Sequence, residues 1–364
     1  MRLGISAEFV RPGVVGGTEQ ALHNLVDGID AVAAPDDRIT VFGRDNSRSS
    51  YTNVGFRDPP RTHNVRFVQE SLTLRSVGAD FDVCYYPNYF TPPVPTRCRL
   101  VTTIPDLQFR HLPENFSRQK RLWQRWAHGS TLRRADVVAV YSEFVRSDIL
   151  SHHGDRHADK LRVLRIPVSW DRFESAHRSS PDRPYVLSVA SHYRHKNLGT
   201  LVRAFRAVHA EYPDLELVLV GQLGRNLIGV RHADDIAAVI DDAGLAGVVR
   251  STGYISEHEL GELYRNAELF VYPSIFEGFG LPPVEALGFG LPVVTTGMTS
   301  IPEATLGLAH YVDDPFDTDE LASAMIAELH SPSPPTEEQV RRVREHYDPR
   351  AVAGEFLEIA RRLV

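Results

Sequence analysis

Short runs of β-branched and aromatic residues alternate with helical stretches along the whole chain, and this rhythm restricts the fold more than any other property of the sequence. Strands buried on both faces read as near-continuous apolar runs, and the helices between them act as crossovers; the combination specifies a parallel sheet with helices on both sides. In the first half the pattern predicts strands at 2–7, 38–43, 64–69, 82–87, 99–104, 136–141 and 161–166, with helices near 18–33, 117–135 and 143–153. The second half restarts the rhythm, with strands at 185–190, 216–221, 249–254, 269–274, 292–296 and 310–314. Its helices fall near 197–210, 232–243, 256–267, 282–289, 318–329 and 336–347. Between the halves, 168–184 is polar, carries two prolines and lacks periodicity, so it reads as a linker. The reading is therefore α/β with two Rossmann-like domains, 1–168 and 169–349, and a terminal amphipathic helix, 350–364, that packs back on the first. Two such domains facing each other leave a cleft along the carboxyl ends of both sheets, where open α/β sheets bind ligands.

Length supports two domains: 364 residues exceed what one ordinary core holds. The formal net charge of -7 argues against nucleic acid as a partner for the surface as a whole. No apolar run reaches the eighteen or so residues of a membrane helix. The opening MRLGISAEFV reads as a strand rather than a signal peptide, which makes a cytoplasmic location the expectation. Cys84 and Cys98 lie in strand-like apolar context without metal-ligand spacing, so buried thiols are expected.

The segment with the most chemistry is SIFEGFGLPPVEALGFGLPVVTT. A strand ends near Ser274, Glu277 follows, and Gly278-Phe279-Gly280-Leu281 leads into Pro282-Pro283 and a helix bearing Glu285. Proline suits the first helical turn, where amides lack intrahelical partners. The glycines permit a tight backbone whose N–H groups, with the helix N-terminus, form an anion cradle suited to phosphate. Carboxylates beside such a cradle repel the anion unless they accept hydrogen bonds from hydroxyls, and those of a sugar and a ribose fit. Lys196 follows a strand across the short loop SHYRH and is placed to reach a diphosphate from that strand's carboxyl end. The loop Gly16-Gly17 between the first strand and the first helix is a weaker backbone anion site. Asp106, at another strand's carboxyl end, suits a cleft role and a turn-capping role equally.

These residues resemble family four of the retaining glycosyltransferases, the glycosyl transferases group 1, whose signature is two glutamates with seven residues between, as Glu277 and Glu285 stand here. The likeness runs through nearly the whole chain, including GGTEQALHNL, PDLQFRHLPENFS, RHKNLGTLVRAF and STGYISEHELGELYRNAELFVYPS. It implies the GT-B fold, an acceptor domain first and a donor domain second. It also implies that Glu277 contacts the transferred sugar, that Glu285 holds the ribose hydroxyls, and that the amides of Phe279, Gly280 and Leu281 meet sugar and phosphate. Tyr254 and Ile255 would lie beside the nucleobase, although as plain sequence they read as core. The family pairs an arginine with the lysine matched by Lys196; here the arginine's place holds Ala190 and Ser191, and Arg194 or His192 stands in as the second cation. The family's histidine before Asp106 is Pro105 in this chain.

Other features read as structural. Asp80-Phe81-Asp82 opens a strand, Asp317-Thr318-Asp319 caps a helix, and Ser142 starts one. His152, His153, Asp155 and His157 read as solvated residues at a helix end. The stretch 117–135 carries six basic residues, no acid, and Trp123 and Trp126. That composition fits an interfacial helix in peripheral contact with the inner face of a membrane, but an amphipathic helix with its tryptophans in the core fits better.

The expectation is thus a retaining, metal-independent hexosyltransferase that needs no cofactor. It would move a sugar from a nucleotide-diphosphate donor, with a lean to GDP-mannose from the KNL sequence, to a glycan, lipid-linked or small-molecule acceptor. A nucleotide-sugar epimerase or hydrolase and an inactive sugar-nucleotide binder are the alternatives.

Overall fold

The computed structural model describes residues 1–10, 17–43, 51–58, 65–173, 181–221 and 235–364. The sequence expectation for Gly16 falls outside them. In chain order the first half contains β1 (Arg2–Ser6), α1 (Gly17–Val32), β2 (Arg38–Phe42), β3 (Val54–Arg57), α2 (Arg66–Val77) and β4 (Val83–Tyr86). Then come β5 (Arg99–Thr103), α3 (Gln108–His111), α4 (Arg118–Arg134), β6 (Val137–Val140), α5 (Glu143–His153) and β7 (Leu161–Val163). The second half begins with β8 (Tyr185–Val189), α6 (Leu198–Glu211), β9 (Glu216–Val220), α7 (Ile236–Asp242), β10 (Val249–Gly253) and α8 (Glu257–Asn266). It ends with β11 (Leu269–Tyr272), α9 (Leu281–Gly288), β12 (Val293–Thr296), α10 (Ile301–Ala304), β13 (His310–Val312), α11 (Thr318–His330), α12 (Glu337–His346) and α13 (Pro349–Arg361).

Two compact units divide the chain. The first comprises Met1–Arg110, Arg118–Ser169 and Tyr347–Val364; the second comprises His111–Ser117 and Trp170–His346. Unit 1 holds a seven-stranded sheet in the order β3-β2-β1-β4-β5-β6-β7, and every neighbouring pair is parallel. Unit 2 holds a six-stranded parallel sheet, β10-β9-β8-β11-β12-β13. In each the order reverses direction at one point, between β1 and β4 in unit 1 and between β8 and β11 in unit 2. Crossover loops leave to opposite sides at such a switch, which opens a crevice at the strands' carboxyl ends.

Helix α13 belongs to unit 1 because of its apolar stripe. Val352, Ala353, Phe356, Leu357 and Ala360 are fully buried in one cluster with Leu22, Leu25 and Ile29 of α1 and Ile5 of β1. The Phe356 ring lies 4.7 Å from that of Tyr85 on β4, so the last helix covers the sheet directly.

Three sequence expectations need correction. The strand expected at 64–69 is replaced from 66 on by helix α2, 66–77, and the third strand is 54–57. The buried residues of α2 are Gln69, Glu70, Thr73, Leu74 and Val77, which follow a helical period. Three of the five are polar, so the hydrophobic pattern that betrays a helix was absent. The stretch 168–184 is not linker throughout, since Phe173 is 1% exposed inside unit 2. His157 is buried rather than solvated. The capping residues behave as the sequence indicated: Ser142 Oγ accepts the Val145 amide, and Asp317 accepts those of Asp319 and Glu320.

Candidate active site

Unit 2 assembles a buried polar cluster at its switch point. The loop after β8 turns through a single 3-10 turn, Arg194–Lys196, and the loop after β11 carries Ser274 and Glu277. The two loops are stitched together, with the Ile275 amide donating to the His195 carbonyl at 2.8 Å. Lys196 and Glu277, 81 residues apart in sequence, thereby form an ion pair with Nζ 2.5 Å from Oε1. Lys196 also donates to the Tyr272 hydroxyl at 2.8 Å, and that hydroxyl donates to Glu277 Oε1 at 2.8 Å. Ser274 Oγ stands 2.5 Å from the same oxygen. Three donors therefore converge on Oε1, while Oε2 accepts from none of the described residues.

The electrostatics follow from this geometry. Burial pushes the Glu277 carboxyl up, but the adjoining Lys196 ammonium and the hydrogen bonds from Lys196 and Ser274 more than reverse it. Glu277 is thus held below the usual carboxylate range and is ionised at neutral pH. Burial, with Lys196 alongside, pushes the His195 imidazole down to about 3, so it is neutral there and Lys196 is the cation that matters.

The turn that follows is fixed from behind. The Glu277 amide donates to Thr299 Oγ1 at 3.0 Å, and Ser300 Oγ donates toward the carbonyls of Glu277 and Phe279 at 2.9 and 3.0 Å. Thr299 has a φ of 54°, an uncommon conformation for a β-branched residue. Gly280 has a φ of 100°, where an L side chain is strained. Gly280 is also the N-cap of α9, and no side chain caps that helix. A helix start without a side-chain cap, with prolines in its first turn, leaves its dipole to be met by an anion.

Glu285, one turn further on, is 4% exposed. Its Oε1 is paired with the Arg172 guanidinium, and its Oε2 accepts from the Tyr264 hydroxyl at 2.9 Å. Burial pushes this carboxyl up, and Arg172 and Tyr264 offset only part of the rise.

The remaining sequence candidates lie on loops and element ends. Ser191 and Arg194 are exposed on the loop after β8. Tyr254 is 70% exposed and Ile255 half-buried after β10, so the reading of these two as core is wrong. In unit 1, Gly17 is the exposed first residue of α1, and Asp106 Oδ1 accepts the Gln108 amide at 2.8 Å, the turn-capping geometry. Sequence reasoning missed Tyr272, Ser274, Thr299, Tyr264 and Arg172. The hydroxyl residues left a faint signal, since Tyr272 and Ser274 alternate at the end of a buried strand; Arg172 left none.

Comparison with known proteins bears on the family and the fold. Residues 171–346 match the family model described as glycosyl transferases group 1. O-antigen chain mannosyltransferase B of Escherichia coli is 30% identical over 270 residues, covering 69% of this chain and 66% of that protein. The matched region thus spans about two thirds of that relative's length. Among solved structures, sucrose-phosphate synthase from Thermosynechococcus elongatus superposes with a TM-score of 0.77 at 21% identity, covering 100% of this chain and 99% of the other. Anabaena Alr3699/HepE, solved in complex with UDP and glucose, gives 0.72 at 16% identity, with 99% of each chain covered. At these identities the structures establish the fold, two parallel-sheet Rossmann-like domains of GT-B type. Family model, relative and fold together make this chain a member of the glycosyl transferases group 1, the retaining glycosyltransferases of family four.

Proposed function

We propose that the chain transfers a hexose from a nucleotide-diphosphate sugar to a hydroxyl acceptor with retention of configuration, using a donor site built on unit 2. The observation that carries this reading is the half-satisfied Glu277 carboxylate beside Lys196 at the sheet's switch point. Oε1 is anchored by protein donors, and Oε2 is left to accept a sugar hydroxyl. Lys196 spends two of its three N–H donors on Tyr272 and Glu277 and keeps one for the diphosphate. The leaving diphosphate gains charge in the transition state, and a fixed ammonium with helix-start amides stabilises that charge. Glu285 takes the ribose diol, and Tyr254 and Ile255 take the base. A same-face attack in which the leaving phosphate accepts the acceptor's proton requires no enzyme nucleophile. The match to a mannosyltransferase supports a mannose donor and a glycan or lipid-linked acceptor.

A thermal-shift panel of GDP-mannose, UDP-glucose, UDP-N-acetylglucosamine and the bare diphosphates tests the donor. The true ligand at a hundredfold its Kd should add about 2.7 kcal/mol of stability. Activity with that donor should survive EDTA, and diphosphate release should depend on the acceptor. Release without acceptor would favour a hydrolase or epimerase, and tight binding without turnover an inactive binder.

One surface observation supports a peripheral membrane location. Phe67, Leu122 and Trp126 of unit 1 are 40%, 65% and 45% exposed, and Phe67 and Trp126 flank Trp123 with ring centroids 4.9 Å from it. Trp126 therefore points outward, among the basic residues of α4, against the expectation of a core-facing tryptophan. No helix among the described residues is long and apolar enough to cross a membrane. Co-sedimentation with phosphatidylglycerol vesicles but not phosphatidylcholine vesicles, lost in Trp126→Ala with Leu122→Ala, is the expected result.

A further inference from the structure

We infer that Arg172 is a positioning residue of the donor site, which holds Glu285 in the orientation that receives a ribose diol and supplies its counter-charge. The inference rests on the donor-site reading of Glu285. Arg172 sits in the turn Asp171–Phe173, immediately after Trp170 brings the chain into unit 2. Its side chain is 10% exposed and that of Glu285 5%, so the pair is screened from water and its geometry is set by the protein.

Everything around Arg172 is anchored to the elements that carry the site. The guanidinium lies 4.3 Å from the centroid of the Phe173 ring. That ring packs edge-on against Phe289 at 5.1 Å and Tyr264 at 6.2 Å. Tyr264 in turn donates to the other oxygen of Glu285. Trp170 is seated on the carboxyl end of α9: a Cβ at Gly288 would fall 2.0 Å from the indole, so only glycine permits this approach. Arg344 of α12 lies over Trp170 at 5.2 Å and donates to the Gly288 carbonyl at 2.8 Å, away from the carboxylate. Among the described residues, the charged and titratable groups around the pair include Tyr264 of α8 and Glu257, 3.6 Å from Arg172, with Tyr272 of β11 behind, and Arg265, which donates to the Phe173 carbonyl at 3.3 Å.

Each oxygen of Glu285 has one protein donor, so each retains a second acceptor position. Two adjacent ribose hydroxyls fit those two positions only if the carboxylate plane is fixed, and Arg172 with Tyr264 fixes it from opposite ends. Burial favours the protonated form of Glu285, and Arg172 is the cation that opposes it. Without Arg172 the group would lose one of its two anchors and the cation that opposes the upward push of burial.

Calorimetry with GDP, UDP and inorganic pyrophosphate on wild type, Arg172→Met, Arg172→Lys, Glu285→Gln and the Arg172→Met/Glu285→Gln double variant tests this. Arg172→Met should weaken the nucleoside diphosphate at least about tenfold, as expected for Glu285→Gln, and leave pyrophosphate, which lacks a ribose, unchanged. In the Glu285→Gln background it should cost less than about twofold more, since residues acting as one unit are not additive. Arg172→Lys, which keeps the charge without the fork, should fall in between and serves if the methionine variant does not fold. A nucleoside diphosphate to pyrophosphate affinity ratio that stays at the wild-type value in either variant overturns the inference, as does full additivity in the double variant. Wild type that binds neither diphosphate would bring down the donor-site reading and this inference together. Wild type that binds while Arg172 is indifferent brings down the inference alone.

Discussion

The two units present the same end of the same kind of sheet, yet their carboxyl groups behave in opposite ways. At the unit 2 switch point Glu277 has Lys196 at 2.5 Å and sits below the usual carboxylate range. At the unit 1 switch point Glu8 follows β1 and accepts from Gln69 and Thr73 of α2 at 2.8 and 2.6 Å. Next to it Glu70 is paired with Arg66 at 2.9 Å, and burial nevertheless pushes its carboxyl up to about 7. Burial also raises Glu8. Two carboxyl groups share one cation in unit 1, whereas Lys196 serves one. Glu285 follows the same rule, because its Arg172 also faces Glu257 at 3.6 Å, and it too is raised. Burial pushes all four of these carboxyl groups up, and only Glu277, with a cation to itself and added hydroxyl donors, ends below the usual range.

The largest effect expected from breaking this contrast is at Lys196. Lys196→Ala removes the cation that serves Glu277 alone, and with it the contact proposed for the leaving group. Turnover should fall by about 2–4 kcal/mol of transition-state stabilisation, roughly 30- to 1,000-fold. A fall of less than about tenfold in steady-state assays would take Lys196 off the phosphate, and Arg194→Ala would then be the variant to assay.

A second test lies in unit 1. Native Glu70 keeps its proton up to about 7, while in the unfolded chain it is lost near 4.5. Between those values the native state binds more protons, so Glu70 makes the protein less stable as pH rises from about 4.5 to 7. Glu70→Gln should remove that slope, worth about 3 kcal/mol, and gain on wild type in denaturant titrations at pH 8 relative to pH 5. Parallel pH profiles for the two proteins would mean that Arg66 neutralises Glu70 fully. Glu277 has the opposite sign: its depressed carboxyl stabilises the fold above the ordinary glutamate range, and that contribution is lost as pH falls through its native value.

The two signature glutamates should also separate. Glu277→Gln should lower turnover while leaving the bare nucleoside diphosphate nearly as tightly bound. Glu285→Gln should weaken diphosphate and intact donor alike, by about 1.5–3 kcal/mol. Equal losses for both variants on both ligands in calorimetry would show that the pair acts as one structural unit.

The smallest effects distinguish the glycines of the two units. At Gly280 a Cβ has room, its nearest neighbours being 3.7 Å away, but φ is 100°. Gly280→Ala should therefore cost about 1–2 kcal/mol of stability from the backbone alone. Gly17 begins a helix with nothing within 4 Å of a Cβ and no positive φ. Gly17→Ala should gain about 0.4–1 kcal/mol, seen as a small rise in Tm. A loss at Gly17 of the size seen at Gly280 would show that both turns demand glycine.

The sequence by itself determined the alternating elements, because local periodicity and turn residues act over a few positions. Twelve predicted strands and the helices around them stand within a few residues of their expected places. It also determined the candidate turn, since Glu277, the glycines and the prolines lie within one short segment. Helix α2 was hidden because its buried face is largely Gln69, Glu70 and Thr73; Glu70 is paired with Arg66 on the same helix, while the burial of Gln69 and Thr73 is compensated by Glu8, distant in sequence. What only tertiary structure decided is pairing at long range. Nothing local links Lys196 to Glu277 or Arg172 to Glu285, separated by 81 and 113 positions. Sheet order brings β8 beside β11, and the packing of Phe173 and Trp170 brings Arg172 under α9. The protonation states depend on those pairings, because a carboxyl group's charge is set by the cation that reaches it through space, and a sequence records only which neighbours it has along the chain.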